Sequence, residues 1–373
     1  MTFDYVDAVE RVATDVVART AAEVDRAGAF PEASIEALRA AGLLGLISAT
    51  GVGGKGQSPC AAARVVERLA RECGSTAMVV CMHYAATAAI ERFGADDVRR
   101  EIAAGRHLST LAFSEVGSRS HFWAPVGTAR AARDGIHLDA RKSWVTSANH
   151  ATSYVWSSRP VAADGMSTIW LVPRSAGGIA PSGRFDGLGL RGNDSTPVAA
   201  EDVVIPAGNR LGEDGGGLSV MLDVVLPVFN ALADACSIGL MEGATESTCA
   251  HVSGTRYQHV DSALVDLPTI RAYVARMRIA TDQARCLLMD TLDAIETGRA
   301  DAMLRVLECK CAAGESATQV LDTAMRVCGG AAFRRDVGVE RRFRDARAAT
   351  VMAPTTDQLY DFIGKAVCGL PVF

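Results

Sequence analysis

The residue pattern of this 373-residue chain changes period twice, and that alone leaves few architectures open. Over 4–47, apolar residues recur at three- and four-residue steps, as at Tyr5, Ala8, Val9, Val12 and Val16, the spacing of one helix face. Pro31, ahead of Ser34-Ile35-Glu36-Ala37-Leu38, marks the start of a second helix. The run SATGVGGKGQSP at 48–59 is read as a helix connector. It lacks GxGxxG spacing and no strand precedes it, so it is not a dinucleotide fingerprint. Helical spacing returns over 60–105. From His107 the texture becomes short β-branched segments separated by turn residues: LSTLAFSEV, HLDARKSWVTS, SYVWSSRPV, MSTIWLVP and AEDVVIP. These predict a small antiparallel β domain over about 108–207, with a hairpin turn at Asp134-Gly135. Helical spacing resumes from Leu218 to Val327, broken near Pro268 and Gly298, at lengths that suit an antiparallel bundle. The expected organisation is a helical domain at 1–107, a β domain at 108–212 and a helical bundle at 213–373. Clefts form where such layers meet, and cofactors bind in clefts of that kind.

Composition narrows the function classes. Net charge is −5 with a pI near 5.9, which disfavours nucleic acid as the main partner because phosphate binding needs a basic face. No apolar run approaches the roughly 20 residues a membrane span requires, and the acidic, amphipathic N-terminus has no signal-peptide core. The ten cysteines are scattered without a CxxC pair, so neither a zinc site nor a redox dithiol is expected. They are read as reduced, mostly buried thiols of a cytoplasmic protein.

Three stretches carry chemistry. The first, GGAAFRRDVGVERRFRDARAATVMAPTTD at 329–357, has a Gly-Gly helix stop, a turn crowded with Glu340, Arg341, Arg342, Arg344, Asp345 and Arg347, and then Ala353-Pro354-Thr355. The second is FSEVGSRSH at 113–121 and the third KSWVTS at 142–147. Together they resemble the acyl-CoA dehydrogenase flavoproteins over nearly the whole chain. The resemblance implies an N-terminal helical domain, a middle antiparallel β-barrel or sandwich and a C-terminal four-helix bundle, with FAD as cofactor and an acyl thioester of CoA or a carrier protein as substrate.

Site residues follow by position. The resemblance assigns Ser114 to the flavin ring and Ser120 to the thioester carrier. Trp144 would shield the flavin face while Thr146, two residues along the same strand face, donates to it. Gly329, Gly330 and Thr355 fall on the FAD-binding segment. Arg256 is the candidate for the FAD pyrophosphate, although the Phe and Gly of the family motif are missing, and Arg326 stands where the family has a Gln. Arg119, foreign to the motif, either pairs with a phosphopantetheine phosphate or is a solvated rim residue.

The catalytic base is the departure. The family places a Glu where this chain has Ala353, or on the first helix after the β domain, where this chain has Phe229. Neither accepts a proton. His83 and His121 are candidate proton acceptors because imidazole titrates near neutral pH, and each has the alternative of a structural role. Asp357 is a third candidate, with the alternative of complementing a helix start. Family relatives without the Glu include flavin monooxygenases and oxidases, many of them in secondary metabolism. Two enzymatic readings therefore stand: oxygenation with O2 and a flavin reductase, or dehydrogenation with a displaced base and an electron-transfer flavoprotein. A third reading is a non-catalytic flavin-binding partner subunit. The resemblance also implies a homodimer or homotetramer.

Overall fold

The structure, a computed structural model, describes residues 3–259 and 261–372. The N-terminal helices are α1 (Tyr5–Val12), α2 (Ala18–Ala27), α3 (Glu32–Ala40), α4 (Pro59–Glu72), α5 (Gly74–Phe93) and α6 (Asp96–Ala103). Three of their ends have a clear local cause. The Asp4 carboxylate accepts from the Val6 and Asp7 amides to start α1, Pro59 opens α4, and Gly28 in the left-handed region (φ +58°) ends α2. Helix α5 is buried on nearly every face, so it carries no polar stripe and sits at the centre.

Eight strands follow: β1 (Ser109–Ala112), β2 (Thr128–Ala132), β3 (Gly135–Val145), β4 (Ser153–Ser158), β5 (Thr168–Pro173), β6 (Ile179–Pro181), β7 (Thr196–Ile205) and β8 (Arg210–Leu211). They form two four-stranded sheets, ordered β1-β4-β5-β8 and β2-β3-β7-β6. The β2–β3 hairpin is present, but its turn lies at Arg133-Asp134, one residue before the expected Asp134-Gly135, because Gly135 already pairs with Ala132. The expectation of a wholly antiparallel domain needs correction, because β1 pairs parallel to β4, with Ser109 opposite Ser153. The chain between them runs through the loop at 113–127 and then β2 and β3 of the other sheet, so this pair is not a hairpin.

Strand β4 is buried along its whole length because the first sheet is covered on both faces. Period-two alternation sends Tyr154, Trp156, Trp170 and Val172 into the core between the sheets, and Val155, Ile169 and Leu171 into the helical core. The β domain is thereby fused to the helices rather than tethered to them.

The C-terminal helices are α7 (Leu226–Gly254), α8 (Pro268–Thr297), α9 (Ala302–Cys328), α10 (Val339–Ala346) and α11 (Thr356–Val367). Gly298 at φ +65° ends α8, and Gly329 at φ +56° ends α9. Contrary to the sequence reading, one helix, Gly217–Gly254, is apolar and long enough to cross a bilayer, with a mean hydropathy of 1.7 over its most apolar window. That window is 83% buried within the protein, where α7 packs against α4, α8 and α9. Its apolarity serves the core.

The arginine-rich turn is a clasp. Arg344 pairs with Asp25 of α2 at 2.6 Å. Asp345 accepts from the Leu190 amide at 2.6 Å, and Arg342 donates to the carbonyls of Arg71 and Gly338. Burial pushes the Asp345 carboxyl up to about 6. One short helix so ties the N-terminal helices, the β domain and the bundle together. All ten cysteines are free thiols, six of them buried.

Candidate active site

A hollow opens where β1, the 113–127 loop and β3 meet α5, the start of α7 and the segment before α11. Its walls are Met82, Leu111, Phe113, Ser114, Phe122, Ser143, Trp144, Val225, Leu226, Phe229 and Ala353. It holds about 520 Å³ of empty space counted to its open mouth. Of the residues singled out in the sequence, Ser114, Trp144, Phe229 and Ala353 come together here.

Trp144 owes its place to a bulge. The β3–β7 register shifts between Lys142 and Val145, and Trp144 adopts φ +58°, a conformation uncommon for a bulky residue. The strand's alternation breaks there. Lys142 and Val145 both point inward at 1% exposure, while the indole stands out at 71%. The expected shared face of Trp144 and Thr146 is therefore not found. Thr146 lies past the end of β3, 2% exposed, with its hydroxyl 3.1 Å from that of Ser195.

Beneath the bulge is an ion pair that sequence reading missed. Lys142 Nζ donates to Glu115 at 2.6 Å and to the carbonyl and hydroxyl of Ser157 at 2.7 and 2.9 Å. Glu115 accepts in turn from the Val126 and Gly127 amides at 2.8 and 2.9 Å. Both side chains are essentially unexposed, and burial lowers the Lys142 ammonium to about 8 against the pull of Glu115. This pair joins the loop bearing Ser114 to the strand bearing Trp144. The only sequence signal was that both residues sit inside the two motifs.

His83 is no proton acceptor for this hollow. It is fully buried, its Nε2–H donates to the Leu44 carbonyl at 2.9 Å, and its Nδ1 accepts from the Ser109 amide at 3.1 Å. Both nitrogens are occupied, and its neighbour Met82 lines the hollow instead. Burial lowers the imidazole to about 4. The folded value lies below the ordinary one, so this group's stabilisation is present above pH 6.5 and is lost as pH falls towards 4. The expected result is an imidazole that stays neutral at pH 6 when followed by NMR. His83→Gln is expected to cost about 1–3 kcal/mol of stability with turnover unchanged. A selective loss of turnover would restore His83 to the mechanism.

The other candidates lie outside the walls. His121 is exposed and meets Trp123 edge-on at 5.1 Å between centroids. Asp357 is exposed in the first turn of α11, where it complements the helix start. Thr355 caps that helix, accepting from the Gln358 amide at 3.5 Å. Arg256 is exposed and paired with Asp261 at 2.7 Å. Arg326, 66% exposed, lies 3.8 Å from Asp322. Gly329 and Gly330 are exposed, and a Cβ on either would meet nothing within 4 Å. Arg119 is exposed at φ +51°. Ser120 is half-buried, whereas the hydroxyl of Ser118 on the same loop is buried without a partner. No cluster of three or more metal-ligating side chains exists among the described residues.

The walls fit a flat heteroaromatic ring. An exposed indole offers a stacking face, Ser114 and Ser143 bring hydroxyls beside it, and Ser118 leaves one orphaned hydroxyl in the same loop. Family models cover almost the entire chain: acyl-CoA dehydrogenase N-terminal domain at 4–105, middle domain at 110–203 and C-terminal domain at 215–368. The chain belongs to the acyl-CoA dehydrogenase family. Human mitochondrial short-chain specific acyl-CoA dehydrogenase is 27% identical over 90% of this chain and 82% of its own length. Cyclohex-1-ene-1-carbonyl-CoA dehydrogenase of Geobacter metallireducens is 25% identical over 97% and 96%. Among solved structures, butyryl-CoA dehydrogenase from Megasphaera elsdenii matches with a TM-score of 0.91 at 20% identity, covering 98% and 97% of the two chains. The prolyl acyl carrier protein oxidase AnaB matches at 0.89 and 18%, covering 97% of each. At those identities the structures speak for the fold, which is the acyl-CoA dehydrogenase fold the resemblance implied.

Proposed function

We propose that this family member is an FAD-dependent oxidoreductase acting on an acyl thioester, and that it oxygenates its substrate rather than desaturating it. One observation carries the reading: none of the eleven side chains around the hollow is a carboxylate, an imidazole or an amine. Desaturation removes a weakly acidic α-proton, and a proton acceptor must stand within hydrogen-bond reach of it. At the two positions where the family places that acceptor, Phe229 and Ala353 offer neither a lone pair nor a charge.

Bound FAD supplies two-electron transfer and, once reduced, reactivity towards O2. The chain's own residues do the rest. Trp144 gives the ring a stacking surface, and Ser114 and Ser143 bring polar hydrogens to its edge. Phe113, Phe122 and Phe229 keep water away from the acyl group. Exposed Arg119 on the loop rim suits the phosphate of a phosphopantetheine arm, shared by CoA and carrier proteins. Oxygenation consumes O2 and two electrons, so the partner implied is a flavin reductase. Desaturation would instead deliver electrons to an electron-transfer flavoprotein.

Mixing the yellow holoprotein with acyl-CoA and acyl-carrier thioesters without oxygen separates the two. The flavin colour is expected to persist, and an oxygenated product to form only when reduced flavin and O2 are supplied. Rapid anaerobic bleaching by a thioester alone would overturn oxygenation in favour of desaturation.

A further inference from the structure

The backbone around Ala353 is held from the helical core by a buried charge. Leu226 lines the hollow, and Asn230 and Asp234 follow it at four-residue steps on one ridge of α7. That ridge runs from the hollow onto α9, where the Asn230 amide donates to the Val306 carbonyl at 3.3 Å. One turn further along α9 stands Lys310, 3% exposed. Its Nζ donates to the carbonyls of Pro354 at 2.7 Å, Met352 at 3.0 Å and Ala349 at 3.5 Å. An ammonium has three protons to donate, so all of them are committed to one segment. The two shorter bonds grip the residues on either side of Ala353.

Asp234 is 1% exposed, and its Oδ2 meets no donor. The Cys309 thiol hydrogen-bonds the carboxylate, and Lys310 is the cation that acts on it through space. A charge in an apolar core is strongly unfavourable unless it is opposed and hydrogen-bonded. Burial pushes the Lys310 ammonium down and the Asp234 carboxyl up, and attraction between the two opposes both shifts. Around them stand Cys309 and Cys311 on α9, Cys81 on α5, and Tyr360 of α11 beside Cys311. Burial raises the three thiols and the Glu315 carboxylate raises the Tyr360 hydroxyl, so these groups stay neutral while Lys310 titrates.

We propose that Lys310 is a positioning residue for the site, fixing Ala353 against the hollow through three carbonyls, with Asp234 as its buried counter-charge. The binding arm of the test rests on the acyl thioester reading above, and the exchange arm does not.

Both arms use the holoprotein. Hydrogen exchange followed by mass spectrometry reads the peptide over 348–355, where the Met352 amide donates to the Ala348 carbonyl at 2.9 Å. Lys310→Met is expected to speed exchange in that peptide by about tenfold or more, because hydrogen bonds from a charged group are lost. The double variant Asp234→Asn with Lys310→Met leaves neither charge buried and serves if the single variant does not fold. The dissociation constant of S-butyryl pantetheine, read from the perturbed flavin spectrum, is expected to rise by about tenfold in the same variants. In the unsubstituted protein, affinity should fall as rising pH takes the proton from Lys310. Asp234→Asn removes the opposing charge, so that fall should come about one pH unit lower. A merely structural pair would leave this pH dependence where it was. Unchanged exchange over 348–355 in the Lys310 variants overturns the proposal, as does a pH profile that Asp234→Asn does not shift. If the thioester binds no form of the protein, the acyl thioester reading fails, and the exchange result alone decides the role of Lys310.

Discussion

Replacing Ala353 with Glu is expected to raise the rate of anaerobic flavin reduction by an acyl thioester by about a hundredfold or more. A positioned general base typically contributes about 10²–10⁴-fold. Position 353 already faces the hollow. The segment carrying it is held from α9, where Lys310 Nζ donates to the carbonyls of Pro354 at 2.7 Å and Met352 at 3.0 Å. A carboxylate added there would project from a fixed backbone rather than from a loose loop. The apolar walls disfavour its charged form, so its pKa is raised. The gained rate should therefore climb with pH through a range above that of an ordinary carboxylate. Stopped-flow absorbance of the flavin gives the comparison. If the unsubstituted protein is already reduced as fast as A353E, a working base exists elsewhere and the oxygenation reading fails.

Lys142→Met is expected to destabilise the protein by about 3–5 kcal/mol, because it leaves the Glu115 carboxylate buried without its cation. The effect should exceed that of any exposed ion pair in the molecule, such as Arg326 with Asp322, where the median contribution is about 0–1 kcal/mol. Because the pair underlies the bulge that lifts Trp144 outward, flavin retention should fall together with stability. The double variant Glu115→Gln with Lys142→Met removes both charges and should recover much of the loss. Denaturant unfolding and the flavin content of purified protein measure the two effects. A single variant that unfolds within about 1 kcal/mol of the parent would show that the pair contributes no more than a surface bridge.

Several features of the site were written in short stretches of sequence. The loop at 113–121, the strand around Trp144 and the position Ala353 each sit in a motif, Phe229 is placed by its position on the first helix after the β domain, and the fold brings Ser114, Trp144, Phe229 and Ala353 to one hollow. The two roles open to His83, proton acceptor or structural residue, could not be separated in sequence. A histidine in an apolar helix looks the same whether its nitrogens face a cavity or two backbone groups, and here those groups come from Leu44 and Ser109. Phe122 went unnoticed because a Phe in a loop carries no period. Its neighbours in the hollow lie far along the chain, as at Phe229 and Ala353, and Phe362 packs on the adjacent Trp123.

The sequence by itself determined the order of helices, strands and helices, the glycine and proline stops between them, and the family. All of these depend on side-chain period and on backbone preferences acting within a few residues. Tertiary structure alone decided the parallel β1–β4 pairing, the inward turn of Lys142 onto Glu115, the burial of the long apolar helix, and which aromatic rings close the hollow. Those depend on contacts between segments tens to hundreds of residues apart. Packing and desolvation there outweigh any local preference, and the bulge that exposes Trp144 while burying Lys142 is the clearest instance.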